Sequence, residues 1–370
     1  MRDRPFPTPL IRALAATVPF VGPETQERAS GRPFRARIGA NESGFGPAPS
    51  VIAAMEAAVG DMWKYGDPEN FDLRAALAAH HGVGVDNVLI GEGVDGLLGL
   101  SVRMFAEPGA AVVTSLGGYP TFNFHVAGFG ARLVPVPYER DRENLHGLAE
   151  AARREKPALV YLANPDNPMG SWWEAPEVER FMAALPASSM LLLDEAYGET
   201  APASALPPID VSRPNVIRLR TFSKAYGLAG LRCGYAIAEA GVIREFEKIR
   251  AHYGMNRMAL TAAQAALRDQ AYLREVVAKV EAGRGRLARI AAENGLRPLP
   301  SATNFVAIDC GRDGVFAKAV LDALLARGIF VRKPMVPVLD RCIRVSVGLD
   351  HELDLFAEEL PRALTAAARG

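Results

Sequence analysis

The segment Thr221-Phe-Ser-Lys-Ala-Tyr-Gly-Leu-Ala-Gly-Leu-Arg232 places a lysine just beyond the β-rich run 216–221. Hydroxyls stand one and three residues before Lys224, and an arginine stands eight after it. Lysine is seldom buried without a reason, and its amine makes Schiff bases with carbonyl groups. Thr221, Ser223 and Arg232 are the donors that a phosphate group needs. The combination points to an aldehyde cofactor that carries a phosphate. Taken alone, a Ser-Lys pair is more often a solvated loop, so the rest of the chain has to support this chemistry.

Other polar residues fall where strands should end. The run 190–193 leads into Asp194, and the run 158–162 leads into Asn164-Pro-Asp-Asn-Pro-Met-Gly170. A strand over 87–90 leads into Gly91-Glu-Gly-Val-Asp-Gly96, which opens a helix. In open α/β sheets, ligands bind beyond the carboxyl ends of strands. Gly91, Gly93 and Gly96 fit a dinucleotide-binding pattern, but the next strand ends in Val113-Thr-Ser-Leu-Gly-Gly without the acidic residue that pattern wants. A helix N-terminus with free backbone N–H groups still seats one phosphate.

The elements that must position these residues follow from periodicity. Helices are expected over 71–81 and 95–105, and strands over 87–90, 111–115, 132–136, 158–162, 190–193, 215–220 and 234–238. Several of these runs are apolar throughout, as strands covered on both faces are. Their alternation with helices predicts an α/β fold with a mostly parallel sheet. Beyond Gly254 the pattern changes to one long helical stretch over 260–293, strands at 304–309, 329–332 and 342–347, and helices at 315–327 and after Asp350. Two domains are expected: a large one over 45–255, and a smaller α+β one built from 1–44 and 256–370.

Composition sets the outer limits. Hydrophobic residues make up 49% and charged residues 23%, as in an ordinary soluble globular protein. Lys+Arg and Asp+Glu balance at 42 each, so no charge excess calls for nucleic acid or a membrane surface. Cys233, Cys310 and Cys342 lack metal-ligand spacing and are too few for a disulfide framework. Neither a signal peptide nor a spanning helix is evident, and a cytoplasmic location is expected.

Taken together, Thr-Phe-Ser-Lys-Ala-Tyr-Gly with Arg232, Asp-Asn-Pro-Met-Gly, Leu-Asp-Glu-Ala-Tyr197 and Gly-Glu-Gly-Val-Asp resemble the fold-type-I aminotransferases that depend on pyridoxal 5'-phosphate (PLP). Within them the chain is most similar to the histidinol-phosphate aminotransferase group. Supporting pieces are Gly39-Ala-Asn-Glu-Ser-Gly-Phe-Gly-Pro47, Lys64-Tyr-Gly-Asp-Pro68, Gly328-Ile-Phe-Val-Arg332 and Cys342-Ile-Arg-Val-Ser-Val-Gly348. The resemblance implies that Lys224 holds PLP and shuttles a proton, and that Asp194 pairs with the pyridinium nitrogen. It implies that Asn167 and Tyr197 bond the ring oxygen, and that Tyr119 stacks on the ring. Val94 and Asp95 backbone N–H groups, Thr221, Ser223 and Arg232 are implied to hold the phosphate. Tyr65 is implied to reach that phosphate from a neighbouring subunit, which makes the enzyme a homodimer. On the substrate side stand Asn41, Phe20, Arg332 and Arg344, the last for a carboxylate.

The implied reaction moves an amino group between a small-molecule amino donor and a 2-oxo acid such as 2-oxoglutarate. Decarboxylation of an O-phosphorylated amino acid would use the same cofactor residues. A nicotinamide-dependent dehydrogenase built on Gly91–Gly96 is a distant third. A PLP-binding regulator would need a basic DNA-reading domain for which the chain has no room. Phe20, Met169 and His252-Tyr-Gly-Met255 depart from the group's usual residues, and those near the substrate side leave the substrate open.

Overall fold

The structure, a computed structural model, describes residues 6–16 and 21–369. Phe20 therefore lies outside the described residues.

Strands that are apolar on both faces need cover on both faces, and the central sheet has it. Its seven strands run in the spatial order Val88–Gly91, Gly234–Ile237, Val216–Thr221, Met190–Asp194, Leu159–Ala163, Ala111–Ser115 and Arg132–Val136. Gly234–Ile237 is antiparallel to both of its neighbours, and the remaining pairings are parallel. Six strands therefore point the same way and deliver their carboxyl ends to one edge. Alternate residues of Leu159–Ala163 serve opposite cores, as a pleated strand requires. Leu159, Tyr161 and Ala163 join Leu97, Phe122 and Leu219 on one face. Val160 and Leu162 join Leu148, Phe181 and Leu193 on the other. Each fully buried large side chain contributes roughly 1.5–3 kcal/mol, so register is strongly specified.

Register then aligns the functional positions. Ala163 pairs with Asp194, and Asp194 with Leu219, which sets that carboxylate at the end of the sheet. Gly234 pairs with both Gly91 and Thr221, so the glycine-rich turn and the hydroxyl-bearing turn stand level.

A second sheet of three antiparallel strands, Cys342–Ser346, Phe305–Asp309 and Arg297–Pro298, packs against helices Gln270–Glu293, Gly314–Ala326 and Asp350–Ala367. Val280, Leu287, Val306, Ile308, Leu324 and Phe356 fill its core. Ala36–Arg37 pairs in parallel with Ile329–Phe330, which ties the N-terminal segment to this unit.

Two expectations need correction. The helical stretch expected over 260–293 is two helices, Arg257–Arg268 and Gln270–Glu293. Asp269 breaks it because its carboxylate accepts from the Tyr272 N–H at 3.1 Å, which makes it an N-cap. The strand expected over 329–332 closes at Phe330, and Arg332 meets Arg344 through an isolated bridge. Arg257–Arg268 packs its Ala259, Ala262 and Ala263 into a core with Leu73, Leu77 and Tyr235. That helix thus leans on elements of the large sheet, although it follows residue 256.

Candidate active site

At the carboxyl edge of the large sheet lies a cavity of about 330 Å³. Val94, Asp95, Tyr119, Asn167, Asp194, Tyr197, Thr221, Ser223, Lys224 and Arg232 all line it. They come from the ends of five strands and the turns that follow them, with Arg232 just ahead of Gly234–Ile237.

Part of the cavity wall has the donors to seat a phosphate. Helix Gly93–Phe105 opens there, so its first N–H groups have no partner within the helix. Gly93 sits at φ +72°, and a Cβ on it would meet the Arg232 guanidinium at 2.5 Å. Only glycine allows the chain this close. Opposite, Thr221 Oγ1 donates to Ser223 Oγ at 2.9 Å, and Arg232 donates to Ser223 Oγ at 3.3 Å. Arg232 also reaches the Asp95 carboxylate at 3.4 Å. Asp95 in turn accepts from the Tyr119 hydroxyl at 2.8 Å, which anchors that ring at the cavity wall. Burial raises the Tyr119 hydroxyl's pKa well above its ordinary value, so it remains a donor.

The same cavity holds the lysine, a tyrosine and a carboxylate. Lys224 Nζ donates to the Asn41 carbonyl at 3.2 Å and lies 5.4 Å from the Tyr197 ring centre. Tyr197 Oη accepts from Asn41 Nδ2 at 3.0 Å, leaving its own proton to donate. Asn41 is fixed by Ser346, whose hydroxyl both accepts from its N–H and donates to its side-chain oxygen. Asp194 is buried and accepts from Tyr161 Oη at 2.7 Å and the Ala196 N–H at 2.9 Å. Burial pushes its pKa up to about 6, while those two donors pull it down. Behind it, Glu195 pairs with Arg218 at 2.5 Å and with Arg220 at 3.0 Å, which holds the end of the strand.

Arg344 closes the site from the second sheet. Its Nη1 donates to Asn167 Oδ1 at 2.6 Å, which leaves the Asn167 amide nitrogen to donate. Its Nη2 donates to the Gly39 carbonyl at 3.3 Å, and its Nε is buried with no hydrogen-bond partner. Burial lowers its pKa to about 10, which still leaves it charged at neutral pH. Arg332 pairs with Arg344 through two backbone hydrogen bonds, at 2.6 and 3.2 Å, while its guanidinium donates to the Val21 carbonyl at 3.0 Å.

Tyr65 does not line this cavity. It is 79% exposed and packs on Tyr253 with ring centres 4.9 Å apart. Sequence reasoning missed Tyr161, because an apolar strand hides one polar tip among core side chains. Glu42, which also lines the cavity, was passed over although it stands beside Asn41 in the segment 39–47.

These residues fit PLP: an amine, a buried carboxylate, a tyrosine ring and a cluster of donors that could take a phosphate converge on one cavity. The aminotransferase class I and II family matches residues 37–360. A histidinol-phosphate aminotransferase of Roseiflexus castenholzii is 38% identical over 361 residues, covering 95% of this chain and 96% of that one. A crystal structure of histidinol-phosphate aminotransferase from Sinorhizobium meliloti in complex with pyridoxal-5'-phosphate is 60% identical, with a TM-score of 0.95 over 97% of each chain. An L-threonine-O-3-phosphate decarboxylase of Porphyromonas gingivalis shares the fold, with a TM-score of 0.73 at 17% identity, over 89% of this chain and 99% of that one. The strand-end lysine and aspartate, set in a sheet of this order and matched over nearly the whole chain, place the protein in the aminotransferase class I and II family, as a PLP-dependent aminotransferase of the fold-type-I architecture.

Proposed function

We propose that this aminotransferase moves an amino group between histidinol phosphate and 2-oxoglutarate, with Arg344 as the anion anchor for both. The observation that carries the reading is the buried Arg344 guanidinium, whose Nε has no partner. A buried charged donor left unpaired is costly, and a carboxylate or phosphate oxygen relieves it. Arg332 lies close enough to depress the Arg344 pKa further. A dianionic group suits two neighbouring guanidiniums better than a neutral side chain does. The S. meliloti and R. castenholzii proteins named above support this choice of substrate.

Bound in the cavity, PLP supplies an electron sink for the charge released at the substrate Cα. The residues of the chain do the rest. Asp194, as a carboxylate, holds the proton of the pyridinium nitrogen. Asn167 and Tyr197 donate to the ring oxygen, and Tyr119 covers the ring face. The backbone of Val94 and Asp95, with Thr221, Ser223 and Arg232, anchors the phosphate. Lys224 would hold the cofactor's aldehyde carbon, and its free amine would be the base that takes the proton from the substrate Cα.

The enzyme acts as a homodimer in the cytoplasm, with Tyr65 reaching the neighbouring phosphate. Met62, Trp63, Tyr65 and Tyr253 are all exposed large hydrophobic residues of this chain, as an uncovered interface would have. No described helix is long and apolar enough to cross a membrane. Residues 45–255 form the cofactor domain, and 1–44 with 256–370 form the smaller one, whose helix Arg257–Arg268 packs back onto the cofactor domain. The test of the substrate is kcat/KM with 2-oxoglutarate across histidinol phosphate, phenylalanine and other amino acids. A clear preference for histidinol phosphate is expected, and a preference for an aromatic amino acid would overturn the assignment.

A further inference from the structure

We propose that Tyr161 is a positioning residue for the cofactor: its hydroxyl fixes Asp194 and keeps that carboxylate ionised beneath the pyridinium nitrogen. The inference rests on the reading of Asp194 as the partner of that nitrogen. Tyr161 lies inside the strand Leu159–Ala163 and is fully buried. Its ring stacks on Phe122 with centres 4.5 Å apart and planes 17° apart. That packing leaves the phenol little freedom, and the hydroxyl meets Asp194 Oδ2 at 2.7 Å.

The geometry divides the work of the carboxylate. Oδ1 accepts from the Ala196 N–H, and Oδ2 accepts from Tyr161. Each oxygen keeps one further lone pair, so a ring N–H can be added without breaking either bond. The charges facing Asp194 make this support necessary. Asp95 and Glu195 both disfavour its ionised form, as does burial itself. Glu195 is largely neutralised by Arg218 and Arg220. No arginine or lysine makes an ion pair with Asp194 among the described residues, so its two hydrogen bonds carry the burden. Hydrogen bonds to an ionised acceptor are roughly twice as strong as neutral ones.

The test is a double-mutant cycle read by PLP affinity of the cofactor-free protein, measured from pH 5 to pH 8. Tyr161→Phe removes one oxygen and keeps the ring. It is expected to weaken PLP about tenfold near neutral pH and to move the acid-side fall in affinity to higher pH. In the Asp194→Ala background, where the hydroxyl has no carboxylate to hold, the same change is expected to cost less than about threefold. An equal loss in both backgrounds, with no movement of the pH profile, would mean that Tyr161 only packs the core. If Asp194→Ala weakens PLP and Tyr161→Phe does not, Tyr161 has no such role, although Asp194 keeps its own. If Asp194→Ala itself leaves affinity unchanged, the underlying reading of Asp194 fails. Placing 3-fluorotyrosine at 161 gives a second measurement with the hydroxyl retained. Its stronger donor should move the acid-side fall to lower pH, and movement to higher pH would refute the proposal.

Discussion

Replacing Arg344 with lysine keeps one positive charge and removes the planar fork. In the structure, Nη1 and Nη2 each give one N–H to Asn167 and Gly39, and Nε gives none. A lysine ammonium has no fixed fork with which to hold Asn167 and an incoming anion in the same geometry. The change therefore removes at least one charge-assisted hydrogen bond to substrate, worth about 1.5–3 kcal/mol. That corresponds to roughly a 10- to 150-fold fall in kcat/KM for 2-oxoglutarate. The assay is the half-reaction of the amino form of the enzyme with 2-oxoglutarate, followed by the absorbance of the bound cofactor. Cofactor content should persist, because the Arg344 side chain bonds Asn167 and Gly39 and none of Thr221, Ser223 and Arg232. A fall of less than about threefold would refute the reasoning, since Arg344 would then hold no substrate anion.

Asp194→Asn should stabilise the cofactor-free protein even as it damages catalysis. Burial raises the folded-state pKa of Asp194 from an ordinary 3.8 to about 6. Its favourable contribution is therefore fully present below pH ~4 and is lost as the pH rises through ~6, leaving a penalty on the order of 3 kcal/mol above that. Calorimetric melting should show the variant above the wild type at pH 8, with the gap closing toward pH 4. A variant less stable than the wild type at pH 8 would contradict this. Tyr65→Phe should weaken PLP by about tenfold without changing the fold, and a competent monomer on dilution in sedimentation would overturn the dimer.

Much of the large sheet could be read directly from the sequence, because each buried strand announces itself as a short apolar run. The runs expected at 111–115 and 132–136 coincide with Ala111–Ser115 and Arg132–Val136, and the others shift by a residue or two. The motif residues were equally legible, since Lys224, Asp194 and Asn167 each lie at or just past the end of a strand and line the same cavity. Contacts across long sequence distances were not. Tyr161 meets a carboxylate 33 residues away, and nothing in Leu-Val-Tyr-Leu-Ala marks its hydroxyl as different from a core tyrosine's. The break at Asp269 was hidden because alanine-rich helical patterns on either side join smoothly, and only the cap hydrogen bond reveals the end. The turn of the Arg332 guanidinium toward Val21 likewise depends on how the N-terminal segment lies over the second sheet.

The account stands or falls on Lys224 as the group that moves the substrate proton. The most direct measurement is a single-turnover reaction of Lys224→Ala, loaded with PLP, with an amino donor deuterated or protonated at Cα. Loss of a positioned general base should slow amino transfer by roughly 10²–10⁴-fold, while the melting temperature of the cofactor-free protein stays close to that of the wild type. Transfer at or near the wild-type rate, with the same isotope effect, would contradict the central claim.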